Sequence, residues 1–142
     1  MAVKPTLVLG IGNILLRDDG IGVRVIEALR RAELPDDVEL VDGGTAGADL
    51  VDVIADRKRL IVVDAIDAGE EPGTVVQTDI DDLLPAEGPL SLHQFGLAES
   101  IAMARQLACA PEDVIFLGVQ AGETSPGLEL TAAVGSAVPK VV

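Results

Sequence analysis

The chain has 142 residues, 49% hydrophobic content and a formal net charge of −14. That length and apolar content suit one domain with a sizeable core, and the acidity argues against nucleic acid or an anionic membrane surface as partner. With two Phe and no Trp or Tyr the core must be aliphatic, and a single cysteine, Cys109, excludes an internal disulfide, which fits a reducing cytoplasm.

Lys4-Pro5 comes early, and the apolar run behind it is broken by glycines, so it reads as a strand and not as a signal peptide. No apolar stretch approaches the ~18 residues that suggest a membrane span. The first predicted strand covers about Thr6 to Gly10. It runs into Gly10-Ile11-Gly12-Asn13-Ile14-Leu15-Leu16-Arg17-Asp18-Asp19-Gly20-Ile21-Gly22. An amphipathic helix follows from about Gly20 to Ala32, with Ile21, Val25, Ile26 and Leu29 inward and Glu27 spaced to pair with Arg31. Strand, glycine-rich loop and helix is the opening unit of many α/β domains. A dinucleotide fingerprint fails here, because Leu15 holds the third glycine position and two carboxylates would repel a pyrophosphate. Asp18 and Asp19 either cap the helix and complement its dipole or belong to a site.

A second strand, Val38 to Val41, leads to Asp42-Gly43-Gly44-Thr45-Ala46-Gly47, whose three glycines predict a flexible loop. A helix is predicted over about Ala48 to Asp56. The third strand, Leu60 to Val63, is continuously apolar, as in a central parallel strand, and ends on Asp64. The link before the fourth strand, Thr74 to Thr78, is too short for a crossover helix, so that strand should lie antiparallel at an edge. After a loop with Pro85, Gly88 and Pro89 come Ser91-Leu92-His93-Gln94 and a helix from about Phe95 to Cys109. Cys109 reads as a small packing residue. The fifth strand is Val114 to Val119, Gln120 to Gly127 is a loop, and a last helix from Leu130 is expected to be cut short at Val142.

The expected fold is one α/β domain over residues 1–142, a three-layer sandwich around a five-stranded, mostly parallel sheet of order 2-1-3-5-4, with helices on both faces. Ligands in such sheets sit at the carboxyl ends of the strands, at the switch point. Asp19 and Asp64 should meet there, and His93, the sole histidine, enters the same region if its loop doubles back. Two carboxylates and an imidazole suit a borderline divalent ion such as nickel, zinc or manganese, with positions left open for water or substrate. Asp18 and Asp67 are expected to be surface or supporting groups. The residues alone leave three readings open: a hydrolase, a receiver-like phosphoacceptor, and a metal-binding module without catalysis. A receiver would carry a Lys after the fifth strand, where Gln120-Ala121-Gly122-Glu123 stands.

Four motifs resemble, in order, those of the nickel–iron hydrogenase maturation endopeptidases: Leu7 to Gly22, Asp42-Gly43-Gly44-Thr45, Ile61-Val62-Val63-Asp64-Ala65 and Ser91-Leu92-His93-Gln94. The resemblance implies a cytoplasmic, monomeric protease, aspartic-type or metal-dependent, that removes a C-terminal extension from the hydrogenase large-subunit precursor after nickel insertion. It matches Asp19, Asp64 and His93 to the metal-contacting and catalytic trio, and Asp42, Gly43, Gly44 and Thr45 to a substrate-recognition loop. Nickel would be supplied by the substrate, and zinc or cadmium would also fit the trio. The early end at Val142 departs from the family, whose members complete that last helix.

Overall fold

Alternating apolar residues in the central strands create two buried faces. Leu7, Leu9, Ile11, Leu60, Val62, Val114 and Phe116 belong to one core, while Val8, Val63, Ala65 and Val119 belong to the other. The computed structural model describes residues 4–44, 50–67, 69–79 and 92–138, the side chains of residues 79 and 92–96 excepted. Its strands are β1 (Thr6–Ile11), β2 (Val38–Gly44), β3 (Arg59–Ile66), β4 (Val75–Asp79) and β5 (Asp113–Gln120), in the order β2-β1-β3-β5-β4. Strand β1 runs parallel to β2 and β3, and β3 runs parallel to β5; β4 pairs antiparallel with β5 at the edge. This is the order and polarity read from the sequence.

The helices are α1 (Ile21–Leu29), α2 (Val51–Ile54), α3 (Leu92–Gln106) and α4 (Ala132–Gly135). Helices α2 and α3 cover the first face through Ile54, Leu97, Ile101 and Ala104. Helix α1 covers the second through Ile21, Val25, Ile26 and Leu29, joined by Val134 of α4. Burying these aliphatic side chains at ~1.5–3 kcal/mol each supplies the driving force that two phenylalanines alone could not. Among the described residues no helix is long and apolar enough to cross a membrane.

Several expected boundaries shift, for local reasons. Strand β2 continues through Gly44, because Ile11 of β1 offers further pairing; the register slips between Gly10↔Asp42 and Ile11↔Gly44, leaving Gly43 in a bulge. Asp42, Gly43 and Gly44 are therefore strand and not free loop, while Thr45 lies outside the described residues. Helix α2 ends after one described turn, since Ala55 is already extended and Asp56 adopts φ 62° to enter β3; the expected start at Ala48 lies outside the described residues. Helix α3 begins and ends three residues earlier than read. Its end is closed by Ala108 at φ 57° and by the Cys109 N–H donating to the Ala104 carbonyl at 2.9 Å. Cys109 packs, half-buried, against the first core. Helix α4 is also a single turn, ending at Gly135, a poor helix former, and residues 139–142 of the expected last helix lie outside the described residues. Glu27 pairs with Arg24 at 3.2 Å, not with Arg31, which lies beyond the end of α1.

Helix α1 is pressed against the carboxyl ends of β1 and β3. At Gly22 a Cβ would run into the Val63 carbonyl, so only glycine lets the helix start approach the sheet this closely.

Candidate active site

Gly12 lies between the backbone of Asp19 and the side chain of Asp64. Its φ of 131° is a backbone conformation closed to residues with a Cβ, and a Cβ there would collide with the Asp19 carbonyl while lying 3.5 Å from Asp64 Oδ1. Asp19 and Asp64 thus border the same glycine at the carboxyl edge of the sheet. Asp19 lies in a one-turn 3-10 helix, Arg17–Gly20, and is half-buried. Its Oδ2 accepts the Asn13 N–H at 3.0 Å, which closes the loop between β1 and that turn. Asp64 is fully buried two residues before the end of β3, and its Oδ1 accepts the Ala65 N–H at 2.8 Å.

His93 stands in the first turn of α3; its side chain lies outside the described residues. The backbone still places that turn. The far end of α3 leads to Cys109, whose carbonyl accepts the Asp56 N–H at 2.9 Å, just before β3 begins. A 15-residue helix is ~22 Å long, so its first turn stands toward the opposite, carboxyl edge. It does so on the face to which Leu60 and Val62 turn, and Asp64 follows them with the same period of two.

Beside Gly12 a surface pocket of about 320 Å³ is lined by Asn13, Ile14, Leu15, Asp42 and Gly44 among others. Asp42 Oδ1 accepts the Gly44 N–H at 2.9 Å, and the Gly44 carbonyl accepts the Gly12 N–H at 2.8 Å. The end of β2 is thereby hydrogen-bonded to the loop that carries the acidic residues.

Of the two roles expected for Asp18, surface or supporting group, the structure shows the second. Asp18 is fully buried, and neither the Arg17–Gly20 turn nor α1 has a side-chain cap, so the capping reading fails for both aspartates. The Asp18 carboxylate instead accepts hydrogen bonds from the backbone of Gly122, Glu123 and Thr131 and from the Thr131 hydroxyl. Burial pushes its carboxyl up, but the bonds from Glu123, Thr131 and Gly122 more than offset this, and its pKa lies below the ordinary value. Nothing in the sequence signals these partners, which lie 104 to 113 residues away. Asp67 is exposed, as expected, and receives the Gln120 side-chain amide at 3.4 Å.

The comparison with known families settles which of the three readings applies. The profile described as hydrogenase maturation protease matches residues 23–142. The chain belongs to the hydrogenase maturation protease family. It is 43% identical over 140 residues to the hydrogenase expression/formation protein HupD of Rhizobium leguminosarum bv. viciae, covering 96% of this chain and 69% of that protein. It is 43% identical over 132 residues to the hydrogenase 2 maturation protease of Escherichia coli K12, covering 90% of this chain and 80% of that protein. The solved hydrogenase maturating endopeptidase HybD of E. coli superposes with a TM-score of 0.87 at 40% identity, covering 95% of this chain and 85% of that one. The chain spans 53% of the length of the HupD protein of Thiocapsa roseopersicina and 94% of that of a putative hydrogenase maturation protease of Methanocaldococcus jannaschii. Membership of this family makes the protein a peptide-bond hydrolase by kinship and sets aside the receiver and the non-catalytic module.

Proposed function

We propose that this protein is the endopeptidase that removes the C-terminal extension of a nickel–iron hydrogenase large-subunit precursor after nickel insertion, acting in the cytoplasm as a monomer. The observation that carries the reading is that the Asp19 backbone and the Asp64 carboxylate both border Gly12, at the carboxyl edge of the sheet. Asp19, Asp64 and His93 are the residues assigned to the reaction.

The donor set fits a borderline divalent ion, since two carboxylates and one imidazole bind such ions yet leave the shell incomplete. Nickel held by the precursor is part of the substrate, and these three residues complete its shell; zinc or cadmium would fit the same donors. A bound divalent ion supplies polarisation of the scissile carbonyl or a more acidic water. Asp64, buried and anchored by the Ala65 N–H, offers a carboxylate at a fixed position, whereas Asp19 approaches from a turn open to solvent on one side. Together they orient the incoming cargo against the peptide bond to be cut. Asp42, Gly43, Gly44 and Thr45 are assigned as the recognition segment for the precursor, with Asp42 and Gly44 lining the pocket. Incubating the protein with a nickel-loaded precursor and following its mass tests the reading: loss of the C-terminal extension is expected, and an unchanged mass overturns it.

A further inference from the structure

The turn that carries Asp19 is held from outside. Arg17, next but one before it, sits at φ 50°, a left-handed conformation that costs a residue with a Cβ ~1–2 kcal/mol and so needs external support. The support comes from the segment after β5. The Arg17 N–H donates to the Gly127 carbonyl at 3.0 Å, the Gly127 N–H to the Leu15 carbonyl at 2.8 Å, and the Asp18 N–H to the Glu123 carbonyl at 3.0 Å. The Asp18 side chain then gathers the same segment. Its Oδ2 accepts the N–H groups of Gly122 and Glu123 at 2.8 and 2.9 Å and the Thr131 hydroxyl at 2.9 Å; its Oδ1 accepts the Thr131 N–H at 2.8 Å. None of these groups is assigned to the trio; two of the bonds hold Leu15 and Arg17, and the other five converge on Asp18, the residue adjacent to Asp19.

We propose that Asp18 is a positioning residue of the processing reaction: its buried carboxylate clamps Gly122, Glu123 and Thr131 to the Arg17–Gly20 turn and thereby holds Asp19 beside Gly12 and Asp64. This rests on the processing function proposed above. Supporting groups that orient a metal-contacting residue are worth ~10- to 100-fold in affinity or activity. A clamp that served stability alone would lower the melting temperature without moving Asp19.

The test uses Thr131→Val, which removes one hydroxyl bond at nearly constant volume, Thr131→Ser, which restores it, and Asp18→Asn. Two readouts are taken. One is the amide signal of Asn13, whose N–H donates to Asp19 Oδ2 and so reports on where that carboxylate is held. The other is kcat and KM for a nickel-loaded precursor, at a temperature where each variant is folded. Thr131→Val is expected to shift the Asn13 amide and to lower kcat about 10-fold with KM within about 2-fold, Thr131→Ser to recover both, and Asp18→Asn to lose about 100-fold. An Asn13 amide and a kcat that both stay at wild-type values in folded Thr131→Val overturn the proposal, even if Asp18→Asn fails to fold. If the wild-type protein leaves the precursor uncut, the functional reading has failed, while the Asn13 signal still decides whether Asp18 positions Asp19.

Discussion

Replacing Gly12 with alanine should separate the site's geometry from the stability of the fold. At φ 131° the new residue occupies a region in which a non-glycine costs ~1–3 kcal/mol. Its Cβ also meets the Asp19 carbonyl group, so the turn must retreat, and overpacking of this kind adds ~1–3 kcal/mol. The sum is roughly 2–6 kcal/mol, which at ~3–4 °C per kcal/mol for a chain of this size lowers Tm by roughly 6–24 °C. A displacement of the Asp19 carbonyl by ~1 Å should slow processing ~100-fold even in folded protein. Gly69→Ala is the matched control: φ there is 75°, but no heavy atom lies within 4 Å of an added Cβ, so strain comes without displacement. Circular dichroism melts and timed mass spectrometry of the precursor, well below both Tm values, read the two effects. Wild-type processing by folded Gly12→Ala would refute the role given to this close approach.

The trio is probed with Asp19→Ala, His93→Ala and Asp64→Asn, the last chosen because Asp64 is fully buried and its removal would open a gap. Each should reduce processing at least ~100-fold, measured by precursor mass, and wild-type rates in all three would show the site to be misassigned. Asp19→Ala should change stability by no more than about 1 kcal/mol in urea, as expected of a partly exposed residue. Acid should weaken the Asp18 clamp. Because the folded-state pKa lies below the unfolded one, its contribution is complete above about pH 4 and is lost as pH falls through the folded value. Urea titrations at pH 6 and pH 3 should therefore show a larger loss of stability for the wild type than for Asp18→Asn, and equal losses would remove the clamp's electrostatic contribution.

The sheet was legible because its signals are local. The continuous apolar runs at Leu60–Val63 and Val114–Val119 mark central strands, and the short link before Thr74 permits only an antiparallel edge. Asp19 and Asp64 were legible from topology, since neighbouring parallel strands deliver their carboxyl ends to one edge. What escaped is set by distant pairing. Gly43 and Gly44 carry loop preference, but Ile11 recruits them into β2. Asp18 and Asp19 are indistinguishable as neighbours, yet one turns inward to partners beyond β5 and the other toward Asn13. Helix α3 was placed three residues late because its end is made by Ala108 in a left-handed conformation that no glycine announces.

The central claim is that this chain cuts a precursor because that precursor carries nickel, with Asp19, Asp64 and His93 completing the shell of the cargo ion. Three donor groups without a nearby cysteine should hold an ion loosely by themselves, which is why the proposal has the ion arrive with the substrate. The direct measurement offers the protein two precursors, one nickel-loaded and one nickel-free, in buffer without added metal, and follows both by mass. The account predicts loss of the extension from the loaded precursor alone. Equal cleavage of both, or cleavage of the nickel-free precursor once zinc is given to the protease, would contradict it.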